Sequence, residues 1–489
     1  MPWSGLSDVP SDLADGDDTG VDWSLSGNAG TTPGPHFLGT TDEVTLTLAV
    51  SSTAALRIEP NAISPNLIGG YRGNAVRAGA HGATIGGGGT NDYVNLVTDI
   101  YGTVGGGLEN AAAGVCSTVG GGLDNMSGDY ATTGGGWGNA ASGLEATIGG
   151  GTDNIASGER ATVAGGGGNT ANARDATVAG GFGNLATDEL CTVGGGHNNQ
   201  AGDRAGTIYD CRYATVAGGR RNIASGQEAT IGGGAENQAT NNIATVGGGY
   251  LNVAGGWGST VPGGLDNEAA GYASFAAGRR AKALHDGSFV WADDTFVDFS
   301  SSAARTFSVR STGGARFVLA VDGAGNPTWT CSVASEGSWA CSSDRDLKEE
   351  LVEADGTTLL ETLAEMPIYY WSAIGSETRH IGPMAQDFAA SFGVGGSDTS
   401  IATIDLDGVA LAAIQGLHAQ NQVLEAEKTE LRINVDQLTA RVEALEHAIG
   451  TRSPGAASAP VESTILPGAG IIALATALVW GRRREGGRA

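Results

Sequence analysis

Residues 342–348 read Ser-Ser-Asp-Arg-Asp-Leu-Lys, which sets the Ser343 hydroxyl five residues before the Lys348 amine. A serine hydroxyl is a weak nucleophile at neutral pH and needs a base, and a lysine withdrawn from water can serve as one. Taken alone, the segment reads first as an ordinary Ser-Asp turn followed by an exposed lysine. The five cysteines, Cys116, Cys191, Cys211, Cys331 and Cys341, contain no Cys-x-x-Cys and so offer no zinc spacing. Cys331 and Cys341 suit either a bridge across a ten-residue hairpin or two small free thiols. The glycine runs lack the Lys-Ser/Thr of a phosphate loop, and a loop repeated through much of a chain is architecture. A calcium-binding glycine repeat would need an acid at one place in every coil. Glu109, Asp124, Asp153, Glu236 and Asp266 precede Asn in only some repeats. No cofactor and no metal are expected, and residues 1–340 hold no second nucleophile–base constellation.

The elements that must position this chemistry follow from a refrain. Ala-Thr-Val-Gly-Gly-Gly, then Asn about four residues later and Ala-Ser-Gly, recurs from about residue 83 to residue 276. Its threonines are Thr84, Thr103, Thr118, Thr132, Thr147, Thr162, Thr177, Thr192, Thr215, Thr230, Thr245 and Thr260. From Thr103 to Thr192 the step is 15 residues with one step of 14, and a single step of 23 separates Thr192 from Thr215. Asparagines from Asn110 to Asn267 keep the same beat. A fixed short period marks a solenoid, each repeat one coil stacked on the last. Thr-Val and Thr-Ile are β-branched pairs suited to a pleated surface. Three glycines per repeat permit the positive φ that a short coil needs, and at about 1 kcal/mol each relative to Ala they argue against a helix. Each Asn is predicted to stack on its counterpart and to bond turn backbone. The eight extra residues of the long step, around Gly206 to Tyr213, are predicted to bulge from one loop.

Glycine supplies 83 of 489 residues, and its periodicity separates it from the glycine of disordered chains. A formal net charge of −27 argues against nucleic acid or an anionic membrane as the main partner of the body. The acidic N-terminus lacks the basic start and apolar core of a secretory signal peptide and reads as a flexible lead. Val44 to Val50 alternates, Ala55 to Ile58 follows a turn, and Asn66-Leu-Ile-Gly-Gly is a degenerate first coil. These residues are expected to cap the open end of the solenoid.

Across about residues 66–280 the repeats resemble the head domains of trimeric autotransporter adhesins, which are left-handed β-rolls with similar short phrases. A coil with one or two Val or Ile buries little apolar area alone, and three chains packed side by side would supply the missing core. A homotrimer is therefore expected, as the resemblance also implies. Residues 281–342 read as a β connector, with strands at Ser288-Phe-Val-Trp-Ala, Thr306-Phe-Ser-Val-Arg and Gly314-Ala-Arg-Phe-Val-Leu-Ala-Val.

Downstream come a helix-like run from Thr357 to Met366, Pro367-Ile-Tyr-Tyr-Trp, Arg379-His-Ile-Gly-Pro-Met-Ala-Gln-Asp-Phe and Ile404-Asp-Leu-Asp-Gly-Val. In this order they resemble the C-terminal intramolecular chaperone of endosialidase tailspikes and other phage tail fibres, over about residues 342–448. The same domain occurs in membrane-bound transcription factors of the myelin regulatory type. The resemblance implies self-cleavage by a serine and a lysine five residues later. Here these are Ser343 and Lys348, with Asp344 after the serine and the cut beside Ser343. Burying the lysine at a trimer interface would tie cleavage to assembly. His380 and Gln386 lie in the second motif; they are candidates to polarise the scissile carbonyl or orient Lys348, and equally to hold the corner at Gly382-Pro383.

From Ile414 to Ile449 the chain has heptad character. Leu417, Leu424, Leu431, Leu438 and Leu445 take position d, and position a includes the polar Asn421 and Lys428. A Pro/Ala/Ser linker follows, then an apolar run from Ile465 to Trp480 ending in Gly481-Arg-Arg-Arg. This run is slightly short for a spanning helix, though snorkelling arginines extend it, and the basic end predicts a cytoplasmic C-terminus. It also resembles C-terminal sorting tails.

The expected fold is mainly β. An N-terminal lead and cap (1–65) precede a repetitive trimeric β-roll, or solenoid (66–280), and a β connector (281–342). A small mixed α/β chaperone domain (343–413), a coiled coil (414–450), a linker (451–463), an apolar tail helix (464–481) and a basic tail (482–489) complete the chain. The function expected is a trimeric fibre at the cell envelope or surface, membrane-anchored until its chaperone cuts itself off. The second reading is an adhesin binding a surface glycan or cell receptor, with an inactive chaperone. The third is a membrane-tethered protein released by autoproteolysis, ranked last because the released part has no basic DNA-reading patch.

Overall fold

The computed structural model describes residues 29–32, 37–203 and 211–450. It divides into two compact units, residues 1–342 and 343–489, with the division between Ser342 and Ser343. The expected tail helix, its linker, most of the N-terminal lead and residues 204–210 of the long step lie outside the described residues. Among the described residues no helix is long and apolar enough to cross a membrane.

The first unit is a β-solenoid of about 16 turns. Leu46–Val50 and Thr53–Glu59 form an antiparallel hairpin. Thr53–Glu59 then pairs antiparallel with Asn66–Gly69, which begins the parallel stack by pairing with Thr84–Ile85. The hairpin thus covers the first coil's backbone edge. Each later coil contributes two short strands to two parallel sheets, one carrying the Thr-Val or Thr-Ile pairs and the other pairs that end in a small residue. In the first sheet Thr faces outward, and Val or Ile is fully buried, as at Val104, Ile148, Val163 and Val178. Opposite stand Ala141, Ala156 and Ala171, also fully buried. One coil breaks the pattern with Ser127 and Thr133 inside. Their hydroxyls bond each other at 2.9 Å and also reach backbone carbonyls, so the burial is compensated.

The asparagines form the predicted ladder, and all are buried. Asn154 shows the unit of it. Its Nδ2 donates to Asn139 Oδ1 at 2.9 Å, Gly150 O at 3.0 Å and Gly166 O at 2.9 Å, tying three coils together. Its Oδ1 accepts from the Asn169 amide at 3.0 Å. Asn154→Ala strands several buried backbone groups and is expected to destabilise the local coils by about 3 kcal/mol, since each unsatisfied group costs about 1–3 kcal/mol. Hydrogen exchange should show lost protection confined to the coils around residue 154, and unchanged protection there would refute the ladder's weight.

The structure gives the acids before Asn a role that their spacing did not reveal. Glu109, Asp124, Asp153, Glu236 and Asp266 all have φ between 53° and 60°, a left-handed turn that Gly138 and Gly183 occupy in other coils. Their scatter follows from a backbone position that tolerates several residue types, with Asp and Gly among the least strained.

The solenoid does not stop at residue 280. Phe275–Arg279, Phe289–Ala292 and Phe307–Arg310 continue the first sheet in parallel register, with phenylalanine replacing the threonine column. Phe275, Phe289 and Phe307 stack at centroid distances of 4.6 and 4.8 Å. The rest of the connector is a three-stranded antiparallel sheet of Ala315–Val321, Pro327–Val333 and Trp339–Cys341. Cys331 and Cys341 face each other across it in a disulfide, which resolves the open alternative in favour of the bridge.

Asp293 fastens the end of the last coils. It accepts from the Thr312 amide at 2.8 Å, the Thr312 hydroxyl at 2.7 Å and Arg310 Nε at 2.9 Å. The Thr312 amide and hydroxyl, helped by Arg310, hold its carboxyl well below the usual carboxylate range. A depressed folded-state pKa stabilises fully above the unfolded value, and that stability is lost as pH falls through the folded value. Proteolytic nicking near residues 293–312 is therefore expected to rise in acid, below pH about 4. Asp293→Asn should remove that pH dependence, and a variant with the wild-type profile would refute it.

Among its described residues the second unit holds three α-helices, one 3-10 turn and one short hairpin. Helix α1 (Gly356–Glu365) is capped by Asp355, whose carboxylate accepts from the Thr357 and Thr358 amides. Met366 and Pro367 end it. The strands Tyr369–Trp371 and His380–Gly382 pair antiparallel. Helix α2 (Ala385–Phe392) closes on Gly393, with φ of 64°. Helix α3 (Thr403–Gly450) runs 48 residues and starts eleven residues before the heptad run at Ile414. Its early turns belong to the domain, because Val409 packs with Met366 and Phe388 in a small core. Gly356 and Gly416 let α1 and α3 touch at backbone distance, since a Cβ at either would meet the other helix's main chain. A single helix is what the structure shows here. The heptad leucines, Leu417 to Leu445, are 47 to 64 % exposed along it.

Candidate active site

The segment after the disulfide hairpin builds the site. A short 3-10 turn, Arg345–Leu347, is capped by Asp344, whose side chain accepts from the Asp346 amide at 3.1 Å. The Lys348 amide closes on Arg345 O at 3.1 Å. Extended chain of this length would carry residues five apart to roughly 16 Å. The turn instead brings Lys348 back, and its Nζ lies 2.7 Å from Ser343 Oγ. Nucleophile and amine are therefore within hydrogen-bond reach, the first requirement of a nucleophile–base pair. Both side chains are exposed in the single chain. The turn places Asp344, at the start of the cap, beside the serine as a backbone organiser.

The other two candidates sit elsewhere in the same unit. His380 opens the strand His380–Gly382, and its ring lies against Trp371 at 4.7 Å. Gln386 stands in the first turn of α2, just past the corner at Pro383 and Met384. Among the described residues neither hydrogen-bonds to Ser343 or Lys348. His380 belongs to the hairpin and Gln386 to the helix that follows it.

On the amino side, Ser342 is the last residue of the first unit and is fixed to the hairpin. Its amide donates to Thr330 O at 2.7 Å, and its Oγ accepts from the Thr330 amide at 3.0 Å. Sequence reasoning passed over this residue. The signal available was its place one residue beyond Cys341, but only the register of the sheet shows what it bonds.

Potential metal ligands converge once among the described residues. Asp188, Asp203 and Cys211 bring their ligand atoms within 4.8 Å of one another at the long step of the repeat. Asp188 stands where Gly143 and Gly158 stand in earlier coils, four residues before the threonine. Beside it the buried Glu189 is ion-paired with Arg174 and with Arg212, the latter at 2.7 Å. These groups lie in the first unit and take no part in the serine–lysine pair. Burial pushes the neighbouring Cys191 thiol up to about 12.

Residues 343–394 match the family model of the chaperone of endosialidase. The match holds all four candidates, Ser343, Lys348, His380 and Gln386. It does not extend over the solenoid. No curated protein matches the chain. A chaperone-of-endosialidase domain behind a β-solenoid of about 16 turns fits a structural protein of the phage tail-fibre kind.

Proposed function

We propose that this chain is a fibre subunit that assembles as a homotrimer through its C-terminal domain, which then severs itself from the fibre between Ser342 and Ser343. The observation that carries this reading is the 2.7 Å approach of Lys348 Nζ to Ser343 Oγ within a matched chaperone domain. The junction supports it too, because the two compact units meet in sequence at Ser342 and Ser343.

The chemistry is a transfer within the chain. Ser343 Oγ reaches the carbonyl carbon of Ser342 through a five-membered ring, and Lys348 takes the hydroxyl proton. The C–N bond breaks, the proton passes to the amine of Ser343, and an ester joins Ser342 to Ser343. Water then hydrolyses the ester and restores the serine. The lysine acts as a base only without its proton, a state that removal from water favours. Three chains closing on the exposed segment would supply that removal, so cutting waits for assembly. The exposed heptad leucines of α3 give the three chains their contact.

The adhesin reading draws less support. Trp137, Phe182 and Tyr250 share one column of parallel bridges, but Thr152, Gly167, Arg220 and Ala235 interrupt it. They form no continuous aromatic strip for a glycan.

Intact mass of the expressed chain tests the proposal. Two products are expected, residues 1–342 and residues 343 onward, the second beginning with serine. A folded trimer that remains one whole chain would retire the cleavage.

A further inference from the structure

We infer that Ser342 is a positioning residue for the cut, its hydroxyl standing in the sheet where its own carbonyl would otherwise be tied. In an antiparallel ladder, facing residues alternate between pairs that exchange both N–H···O=C bonds and pairs that exchange none. Cys331 and Cys341, with Cα atoms 3.9 Å apart, are a pair of the second kind, which makes the next pair, Thr330 and Ser342, one of the first. Half of that exchange is present: the Ser342 amide donates to Thr330 O at 2.7 Å. The return bond is diverted. The Thr330 amide donates at 3.0 Å to Ser342 Oγ in place of Ser342 O. The hydroxyl also lies 3.2 Å from both Thr330 Oγ1 and Thr330 O, which fixes its rotamer. Among the described residues no donor is bonded to the Ser342 carbonyl oxygen.

The consequence is chemical. The carbonyl released from the ladder is the one that Ser343 attacks under the proposed self-cleavage, on which this inference rests. A carbonyl zipped into a sheet has its oxygen held by a donor aligned for the planar amide. Going tetrahedral would mean breaking that bond, whereas transition-state stabilisation needs donors aimed where the oxyanion forms. Ser342 ends the ladder half a pair early. The acyl side of the scissile bond stays anchored through its amide and through the adjacent disulfide, while its carbonyl remains free to react.

The test compares the near-isosteric Ser342→Thr and Ser342→Val with wild type, following cleavage by mass after synthesis in an oxidising cell-free system. Thr keeps the hydroxyl and is expected to cut close to the wild-type rate. Val returns the Thr330 amide to the carbonyl and is expected to cut at least about tenfold more slowly, in the range that misplacement of reacting groups produces. Trimer size and the Cys331–Cys341 bond, measured on the same samples, should be unchanged in both. Val cutting as fast as Thr would overturn the inference and leave the Ser343–Lys348 reading standing. A wild-type trimer that never cuts would remove both.

Discussion

Ser343→Ala is expected to yield one uncut chain in which the solenoid and the chaperone domain remain joined. The substitution removes a single exposed hydroxyl that accepts a hydrogen bond from Lys348, so folding and assembly should be unaffected. Without the oxygen there is no ester and no reaction. Lys348→Ala should leave the nucleophile without its base, and loss of a positioned base costs about 10²–10⁴-fold in rate. Lys348→Arg is the sharper probe. Its guanidinium keeps the charge and the donor but does not give up its proton in proteins, so it should cut as poorly as Ala. If Lys348→Arg cut at the wild-type rate, the amine would be a donor to the serine and the base would have to lie elsewhere. His380 would then be the next group to replace. Its position against Trp371 gives no support for that role, and His380→Ala is expected to affect the hairpin more than the chemistry.

Charged substitutions in the heptad face carry the second large effect. Leu431 and Leu438 are 64 and 58 % exposed on α3, an apolar exposure that a long isolated helix would not keep in water without a partner. A core leucine truncated to alanine typically costs about 2–5 kcal/mol, and each heptad layer of a trimer repeats the loss on three chains. Leu431→Glu with Leu438→Glu should therefore abolish trimers, read by sedimentation. Cleavage should fall with assembly, because Ser343 and Lys348 would stay in water. Two outcomes separate the parts of the proposal. A monomer that still cuts at the wild-type rate would break the link between assembly and catalysis. A trimer that persists would move the contact from α3 to the solenoid.

The refrain was enough to specify the solenoid, because each coil is local. Thr-Val pairs, glycine turns and stacked asparagines at a 15-residue step admit one parallel stacking, and the structure has it. The Asn154 ladder needed only its period to be foreseen. The end of the solenoid was less legible. Phe289 and Phe307 follow Phe275 at steps of 14 and 18 residues, so the repeat lost its phrase while the register persisted. The start of α3 was obscured for a similar reason. Heptads mark a seam between helices, but the turn from Thr403 to Ile414 packs Val409 into a globular core that obeys no such period.

The site divides the same way. Sequence determined that Ser343 and Lys348 stand five residues apart about a Ser-Asp turn, and motif order joined them to a chaperone. Only the tertiary structure decided that the turn is 3-10 and returns the amine to 2.7 Å from the hydroxyl, because extended and turned backbones share one sequence spacing. It also decided the Cys331–Cys341 bridge, which needed two strands in register, and the diverted bond of Ser342. Local pattern fixes what depends on neighbours along the chain. Whether a thiol, an amine or a carbonyl finds a partner depends on distances that close only when strands and turns are assembled.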